Sequence, residues 1–484
     1  MKTPVYQIHT DQEQLTAIFD KTGDISRNFL NRIGELATTS HAPQPELLQL
    51  QPEGKGALAA LEEFQLRFGD SLVASTGPRY WGFVTGGATP AAIMGDWLAG
   101  VYDQNPQALT GHGDISARIE VEAISLFLDL LNLPHTFSGG FVTGATMSNF
   151  TCLAVARQWI GRKYGKDLAR EGLAGFGGLH ILSATPHSSA IKALAMLGIG
   201  SSNVISIATP GGSRESMDMA SLEEAARGLQ GKPFIVISSA GTVNSGDFDD
   251  FKAIAELKKR YDFWWHIDGA FGAFAACSPE YGHLLDHWEL ADSITVDCHK
   301  WLNVPYENAV YFIKKEHLQL QVESFQNSNA PYLGDLANNF SYLNVLPENS
   351  RRLRALPVWF GLVAYGKEGY RGIVENCIRL ARELGQFIEE HEAFELVTPV
   401  RLNIVAFTLK GAEAALVDEF LHRLNARGKV FMTPLNFRGR KGFRAALVNW
   451  RTTDADISLA KDELAAVLGE LRAAHQATPG QRWH

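Results

Sequence analysis

Ala291-Asp-Ser-Ile-Thr-Val-Asp-Cys-His-Lys-Trp-Leu-Asn303 is the stretch that decides how this chain is organised. An apolar run, Ile294 to Val296, stops at Asp297-Cys298-His299-Lys300-Trp301. That is the pattern of a buried strand delivering a lysine to the end of a sheet. Thirty-two residues before Lys300, Phe263-Trp-Trp-His-Ile-Asp268-Gly-Ala-Phe271 delivers an aspartate in the same way. A lysine at a strand end is ordinarily a solvated charge, and an aspartate there is ordinarily a turn or cap residue. Here His299 precedes the lysine and Gly-Ala follows the aspartate. Two consecutive strands then supply an amine able to form a Schiff base and a carboxylate able to pair with a pyridinium nitrogen. Those are the two groups that pyridoxal 5'-phosphate requires.

Alternation extends outward from this pair. Strands are expected at 179–183, 204–208, 234–238 and 264–268, separated by helices at 188–197, 221–229 and 251–261. Apolar strands separated by helices predict a mostly parallel sheet covered on both faces. Ligands of such sheets sit at the carboxyl ends of the strands. His187, Thr242, Asp268 and Lys300 all fall just past predicted strand ends. Further upstream, Gly139-Gly-Phe-Val-Thr-Gly-Ala-Thr-Met-Ser-Asn-Phe-Thr151 reads as a short strand, a tight turn and a helix start. Its small residues, its hydroxyls and the free amides at the helix start suit a phosphate, and a Ser/Thr cap after a tight turn is also common in any α/β protein.

The length of 484 residues predicts one large domain and a smaller one. The boundaries expected are a helical N-terminal segment at 1–85, a large cofactor-binding domain at 86–365 and a small α/β domain at 366–484. The chain is 45% hydrophobic and 20% charged with a formal net charge of −9, and it carries no basic stripe, so nucleic acid is not an expected partner. Cys152, Cys277, Cys298 and Cys377 form no CxxC pair, which favours reduced thiols and a cytoplasmic setting. No apolar signal core and no uninterrupted apolar window of membrane-spanning length occurs, so no membrane association is expected. The sequons at Asn149 and Asn339 therefore read as accidental. No HExxH, paired Cys/His spacing or GxSxG is present, so neither a metal nor a hydrolase site is expected.

Two loops remain. Gly77-Pro-Arg-Tyr-Trp-Gly-Phe-Val-Thr-Gly-Gly87 is aromatic and then glycine-rich, and it reads either as a turn under the core or as a wall of the substrate pocket. The polar stretch 324–347 has the composition of a lid.

The chain resembles the group II pyridoxal-phosphate amino acid decarboxylases, the aromatic-L-amino-acid and glutamate decarboxylase group, from about residue 75 to the end. Ala291-Asp-Ser…His-Lys-Trp301, His-Ile-Asp-Gly-Ala-Phe271, Pro186-His-Ser-Ser189 and Ala240-Gly-Thr242 carry the likeness. The resemblance implies an aspartate-aminotransferase-type fold (fold type I). It implies decarboxylation of an L-amino acid to an amine and CO2, with pyridoxal 5'-phosphate as cofactor. Lys300 then matches the Schiff-base lysine, Asp268 the pyridinium partner, Ala270 the small residue beneath the ring and His187 the histidine stacked on it. Thr242 matches a threonine near the 3′-oxygen. Ala145, Thr146, Ser148 and His299 match the phosphate surroundings, and Tyr342 matches a mobile-loop tyrosine that protonates the product carbanion. Trp81, Phe83 and His112 are implied in substrate binding, and a homodimer with shared active sites is implied. Asp297 departs from the pattern, standing where close aromatic decarboxylases have Asn, and Cys298 replaces a proline. The loop around His112 also departs. Other readings are a different lyase on the same scaffold, such as an aldolase or carbon–sulfur lyase, or a non-catalytic cofactor-binding protein. Arg79, Tyr80, Trp81 and Phe83 suit a bulky aromatic substrate, while Arg79 also suits an acidic one.

Overall fold

The structure, a computed structural model, describes residues 7–109, 114–325 and 340–476. A seven-stranded sheet forms its centre, in the spatial order β1-β7-β6-β5-β4-β2-β3. The strands are β1 (Phe137–Val142), β2 (Ile181–Ser183), β3 (Val204–Ser206), β4 (Phe234–Ser239), β5 (Phe263–Asp268), β6 (Ser293–Asp297) and β7 (Ala309–Lys314). Every residue of β5 and β6 is buried. This is why their sequences run almost continuously apolar instead of alternating. Four of the six strand pairings are parallel, and β7 alone pairs antiparallel, with β1 on one side and β6 on the other. The chain is of fold type I, as expected. β7 itself was not anticipated, because a short apolar run such as Ala309–Ile313 carries no period that separates strand from buried helix.

Register decides where the site falls. β5 and β6 pair as His266↔Ser293, Ile267↔Ile294 and Asp268↔Thr295, while β4 and β5 pair as Ser239↔Asp268. All three strands therefore leave the sheet at one edge. The helix Ala145–Lys163 crosses the face of β5, β6 and β7, and its first turn reaches the same edge.

A second, antiparallel sheet follows, in the order β10-β11-β9-β8. It comprises β8 (Phe394–Leu396), β9 (Ile404–Leu409), β10 (Thr433–Phe437) and β11 (Arg440–Ala446). The long helix Ala355–Glu390 leads into it and breaks at Gly366, whose φ of 56° and ψ of −169° are not helical. We propose this break as the boundary between the large and small domains. At the other end, the helices Leu15–Asn31 and Ala57–Phe68 leave Phe19 and Leu66 exposed to 54% and 87%. Among the described residues no helix is long and apolar enough to cross a membrane.

One buried ion pair ties the sheet margin to the segment entering the long helix. Arg351 donates to Glu120 Oε1 at 2.5 Å and to the Phe141 carbonyl at 2.8 Å, and Glu120 Oε1 also accepts the Phe141 amide at 2.8 Å. Both side chains are at most 1% exposed. Arg351→Met would leave Glu120 charged and unpaired inside the protein. The expected cost is about 3–5 kcal/mol, read as a lowered thermal unfolding temperature, whereas an unchanged transition would mean that the pair contributes nothing.

Candidate active site

Lys300 lies just beyond the end of β6 and is largely buried, with Nζ 2.8 Å from Asp297 Oδ2. Its backbone turn is held from two directions. Gly86 donates its amide to the His299 carbonyl at 3.3 Å and packs so closely that a Cβ there would collide with the Lys300 carbonyl. Asn303 accepts the amides of Gly87 at 2.9 Å and Trp450 at 3.1 Å, and donates to the Val448 carbonyl at 3.0 Å. Burial pulls the Lys300 ammonium pKa down. The Asp297 charge and hydrogen bond, followed by Asp268 and Tyr306, outweigh that effect, and the net direction is up. The amine is therefore held charged by a carboxylate, not neutralised by neighbouring cations.

A cavity of about 760 Å³ opens beside the amine and is bordered by Ala145, Thr146, His187, Thr242, Asp268, Ala270, Asp297 and His299. Asp268 is 7% exposed, and its oxygens accept from Asn149 Nδ2 at 3.1 Å and from the Ala270 amide at 3.3 Å. His187 caps the helix Ser188–Met196. Its Nδ1 faces the Ser189 amide at 3.2 Å and the Ser189 hydroxyl at 2.8 Å, so Nδ1 accepts and the proton sits on Nε2. Burial is the main influence on His187 and moves its pKa below the usual imidazole value, so the ring is neutral at pH 7.

The first turn of Ala145–Lys163 brings its unpaired amide end to the cavity at Gly144, Ala145 and Thr146, an arrangement suited to an anion. His299 stands against the same turn. Its Nδ1 accepts the Asn308 amide at 3.2 Å, its ring stacks on Tyr306 at 4.4 Å, and burial chiefly lowers its pKa. Thr242 donates to Glu215 Oε2 at 2.6 Å, as does Ser245. Arg444 enters the cavity from β11. It is 8% exposed, and burial moves its pKa down to about 10. Its Nη1 donates to the Val243 carbonyl at 2.7 Å, and its Nε has no hydrogen-bond partner among the described residues.

Several expected positions lie elsewhere. Trp81 is fully buried in the main core, with Nε1 donating to the Pro78 carbonyl, whereas Phe83 and Val84 of the same loop border the cavity. Ser148 is on the phosphate-facing helix but points into the sheet, where its hydroxyl meets Thr295 Oγ1 and the Val310 carbonyl. Tyr342 is 1% exposed, packs in a separate apolar cluster and lies under the Arg351 guanidinium at 4.7 Å, so it does not border this cavity. Arg79 is committed to Asp456 at 2.8 Å. His112 and the lid segment 326–339 lie outside the described residues. Asn149, Glu215 and Arg444 were not singled out from the sequence. Of these only Arg444 carried a signal, as a lone cation within the apolar run Phe443–Val448.

These residues fit pyridoxal phosphate. The cavity offers a buried primary amine, a carboxylate for the ring nitrogen, an alanine where a flat ring needs a small floor and a helix start for the phosphate. Asp297 is the dissonant group, since its Oδ1 is buried without a hydrogen-bond partner among the described residues. The Lys300 ammonium is what balances it.

A family model described as the pyridoxal-dependent decarboxylase conserved domain matches residues 53–410, and the chain belongs to that family. It is 29% identical over 394 residues to an aromatic-L-amino-acid decarboxylase of Bacillus atrophaeus, covering 78% of this chain and 79% of that one. It is 25% identical over 456 residues to tryptophan decarboxylase 2 of Oryza sativa subsp. japonica, covering 88% of each. Among solved structures, Oryza sativa TDC with PLP and tryptamine superposes with a TM-score of 0.85 at 22% identity, covering 95% of this chain and 98% of that one. Mouse CSAD superposes at 0.83 and 22% identity, covering 94% and 98%. The protein is thus a pyridoxal-phosphate-dependent carboxy-lyase that decarboxylates an L-amino acid.

Two substitutions test the lysine. Lys300→Ala is expected to abolish the visible absorption band of the cofactor-loaded protein, and persistence of that band would remove Lys300 from its role. Covalent capture needs the unprotonated amine, so it rises with pH. Asp297→Asn removes the largest influence that raises the Lys300 pKa, and the midpoint for borohydride-trappable capture is expected to move to lower pH. An unmoved midpoint would show that Asp297 does not control the amine.

Proposed function

We propose that Lys300 holds the cofactor covalently, that Asp268 accepts the ring N–H, and that His187 covers one ring face and orients the scissile carboxylate. The observation that carries this reading is the convergence of Lys300, Asp268 and His187 on one cavity at the carboxyl edge of the sheet. Bound there, the cofactor supplies an electron sink for the pair left behind when CO2 departs. The chain's own residues do the rest. Asp268 keeps the ring nitrogen protonated. The amides of Ala145 and Thr146, with His299, hold the phosphate, and Ala270 leaves room for the ring. Thr242, fixed by Glu215, lines the ring edge. Tyr342 is packed away from the cavity of its own chain, and among the described residues bordering the cavity the Lys300 amine, when protonated, could deliver a proton to the substrate carbon.

The substrate we propose is an aromatic L-amino acid. The names of the sequence relatives support this, as do Phe83 and Phe271 bordering the cavity. Arg444 favours a second reading, a substrate whose side chain is anionic, because a buried guanidinium with an unpaired Nε favours an anion. We also propose a homodimer, with the exposed apolar residues of the N-terminal helices, together with Met94, Trp97 and Val101, covered by the second subunit. The four free cysteines suit a cytoplasmic setting.

A panel of L-amino acids, read as amine by mass spectrometry and as released CO2, separates these readings. The expected result is the highest kcat/KM with tryptophan, tyrosine or phenylalanine, and at most a few-fold change in KM for them in Arg444→Met. Preference for an acidic amino acid, lost on the order of a hundredfold in Arg444→Met, would establish the second reading instead.

A further inference from the structure

The Asp268 and His187 side chains come from different segments, yet they share one support. Asn149 lies in the second turn of Ala145–Lys163 and is fully buried. Its Nδ2 donates to Asp268 Oδ2 at 3.1 Å and to Ser189 Oγ at 3.1 Å. Ser189 Oγ in turn lies 2.8 Å from His187 Nδ1. On the opposite side, Asn149 Oδ1 lies 2.8 Å from His266 Nε2 and accepts from Thr295 Oγ1 at 2.9 Å. Two donors and two acceptors are all that a carboxamide possesses, and all are in use.

We propose that Asn149, oriented by His266, is a positioning residue that fixes the Asp268 carboxylate and the His187 imidazole relative to each other. The inference rests on the roles given above to Asp268 and His187.

The direction of each hydrogen bond follows from its neighbours. An ionised carboxylate only accepts, so the amide nitrogen of Asn149 must face Asp268 and its oxygen must face His266. His266 must then present N–H from Nε2, which leaves Nδ1 to accept. Nδ1 lies 2.9 Å from Ser293 Oγ, and that oxygen accepts the Trp264 indole N–H at 2.9 Å, leaving its own proton for the ring. Burial chiefly moves the His266 pKa down to about 4, so the ring stays neutral at ordinary pH and keeps this tautomer. A phenyl ring at 266 would remove the donor that holds the amide oxygen. The amide could then turn its oxygen toward Asp268, exchanging an attraction for a repulsion. Thr295, which donates to the amide oxygen, and Ser189, whose proton is committed to His187, would still oppose that flip.

The test compares binding of pyridoxal phosphate with its 1-deaza analogue, which has carbon in place of the ring nitrogen, by absorbance titration of the cofactor-free full chain. The wild-type protein is expected to prefer pyridoxal phosphate. In Asn149→Leu that preference is expected to fall about tenfold, one charge-assisted hydrogen bond's worth, while affinity for the analogue stays within about twofold. His266→Phe should behave like Asn149→Leu, and His266→Gln, which restores an N–H, should recover most of the preference. Equal losses for both ligands would show a merely structural role and overturn the proposal. A full preference retained in His266→Phe would overturn the part given to His266. If the leucine variant fails to fold, the same ratio is read in Asn149→Ser, where a retained preference counts against the proposal. A wild-type protein that does not discriminate between the ligands would instead overturn the assignment of Asp268 itself.

Discussion

The parallel pairing of β5 with β6 is the constraint on which the site depends. A register that sets Asp268 level with Thr295 brings the ends of both strands to one edge, and Lys300 follows three residues beyond Asp297. Because the side-chain period of a strand is two, a slip of one residue would turn Asp268 to the other face of the sheet. Burial on both faces makes such a slip costly. Trp264, Trp265, Ile294 and Val296 are all fully buried, and none could exchange sides without emptying one packing layer and overfilling the other.

Much of this was legible in the sequence because strands buried on both faces announce themselves as apolar runs, and a charge at the end of such a run stands out. Lys300 and Asp268 were found in that way, and His187 and Thr242 followed from the alternation of strands and helices. Residues whose importance comes from tertiary contacts left no such trace. Asn149 sits one position after Ser148 in the same helix turn, yet Ser148 faces the sheet while Asn149 reaches Asp268. No local rule distinguishes the two. Trp81 and Phe83 share a loop, and only the fold decides that one is core and the other borders the cavity. Tyr342 was matched to a mobile-loop tyrosine through the family resemblance, and it packs under the Arg351 guanidinium in an apolar cluster apart from the cavity.

The electrostatics of the cavity are unusually acidic for an anionic cofactor. Asp268, Asp297 and Glu215 all border it, facing Lys300 and Arg444. Such a site is stable only with each carboxylate tied down, and the hydrogen bonds do this for Asp268 through Asn149 and for Glu215 through Thr242, Ser245 and Asn244. Asp297 has the Lys300 amine at 2.8 Å from one oxygen and His299 Nε2 at 3.7 Å from the other.

The turn after Lys300 is also fastened to the C-terminal unit. Asn303 joins Gly87, Trp450 and Val448, and Trp81 exchanges backbone hydrogen bonds with Phe431 and Ala446. A rigid rotation of the small sheet would therefore drag the backbone of the Lys300 turn along with it. Any relative movement of the two sheets would have to break these bonds first.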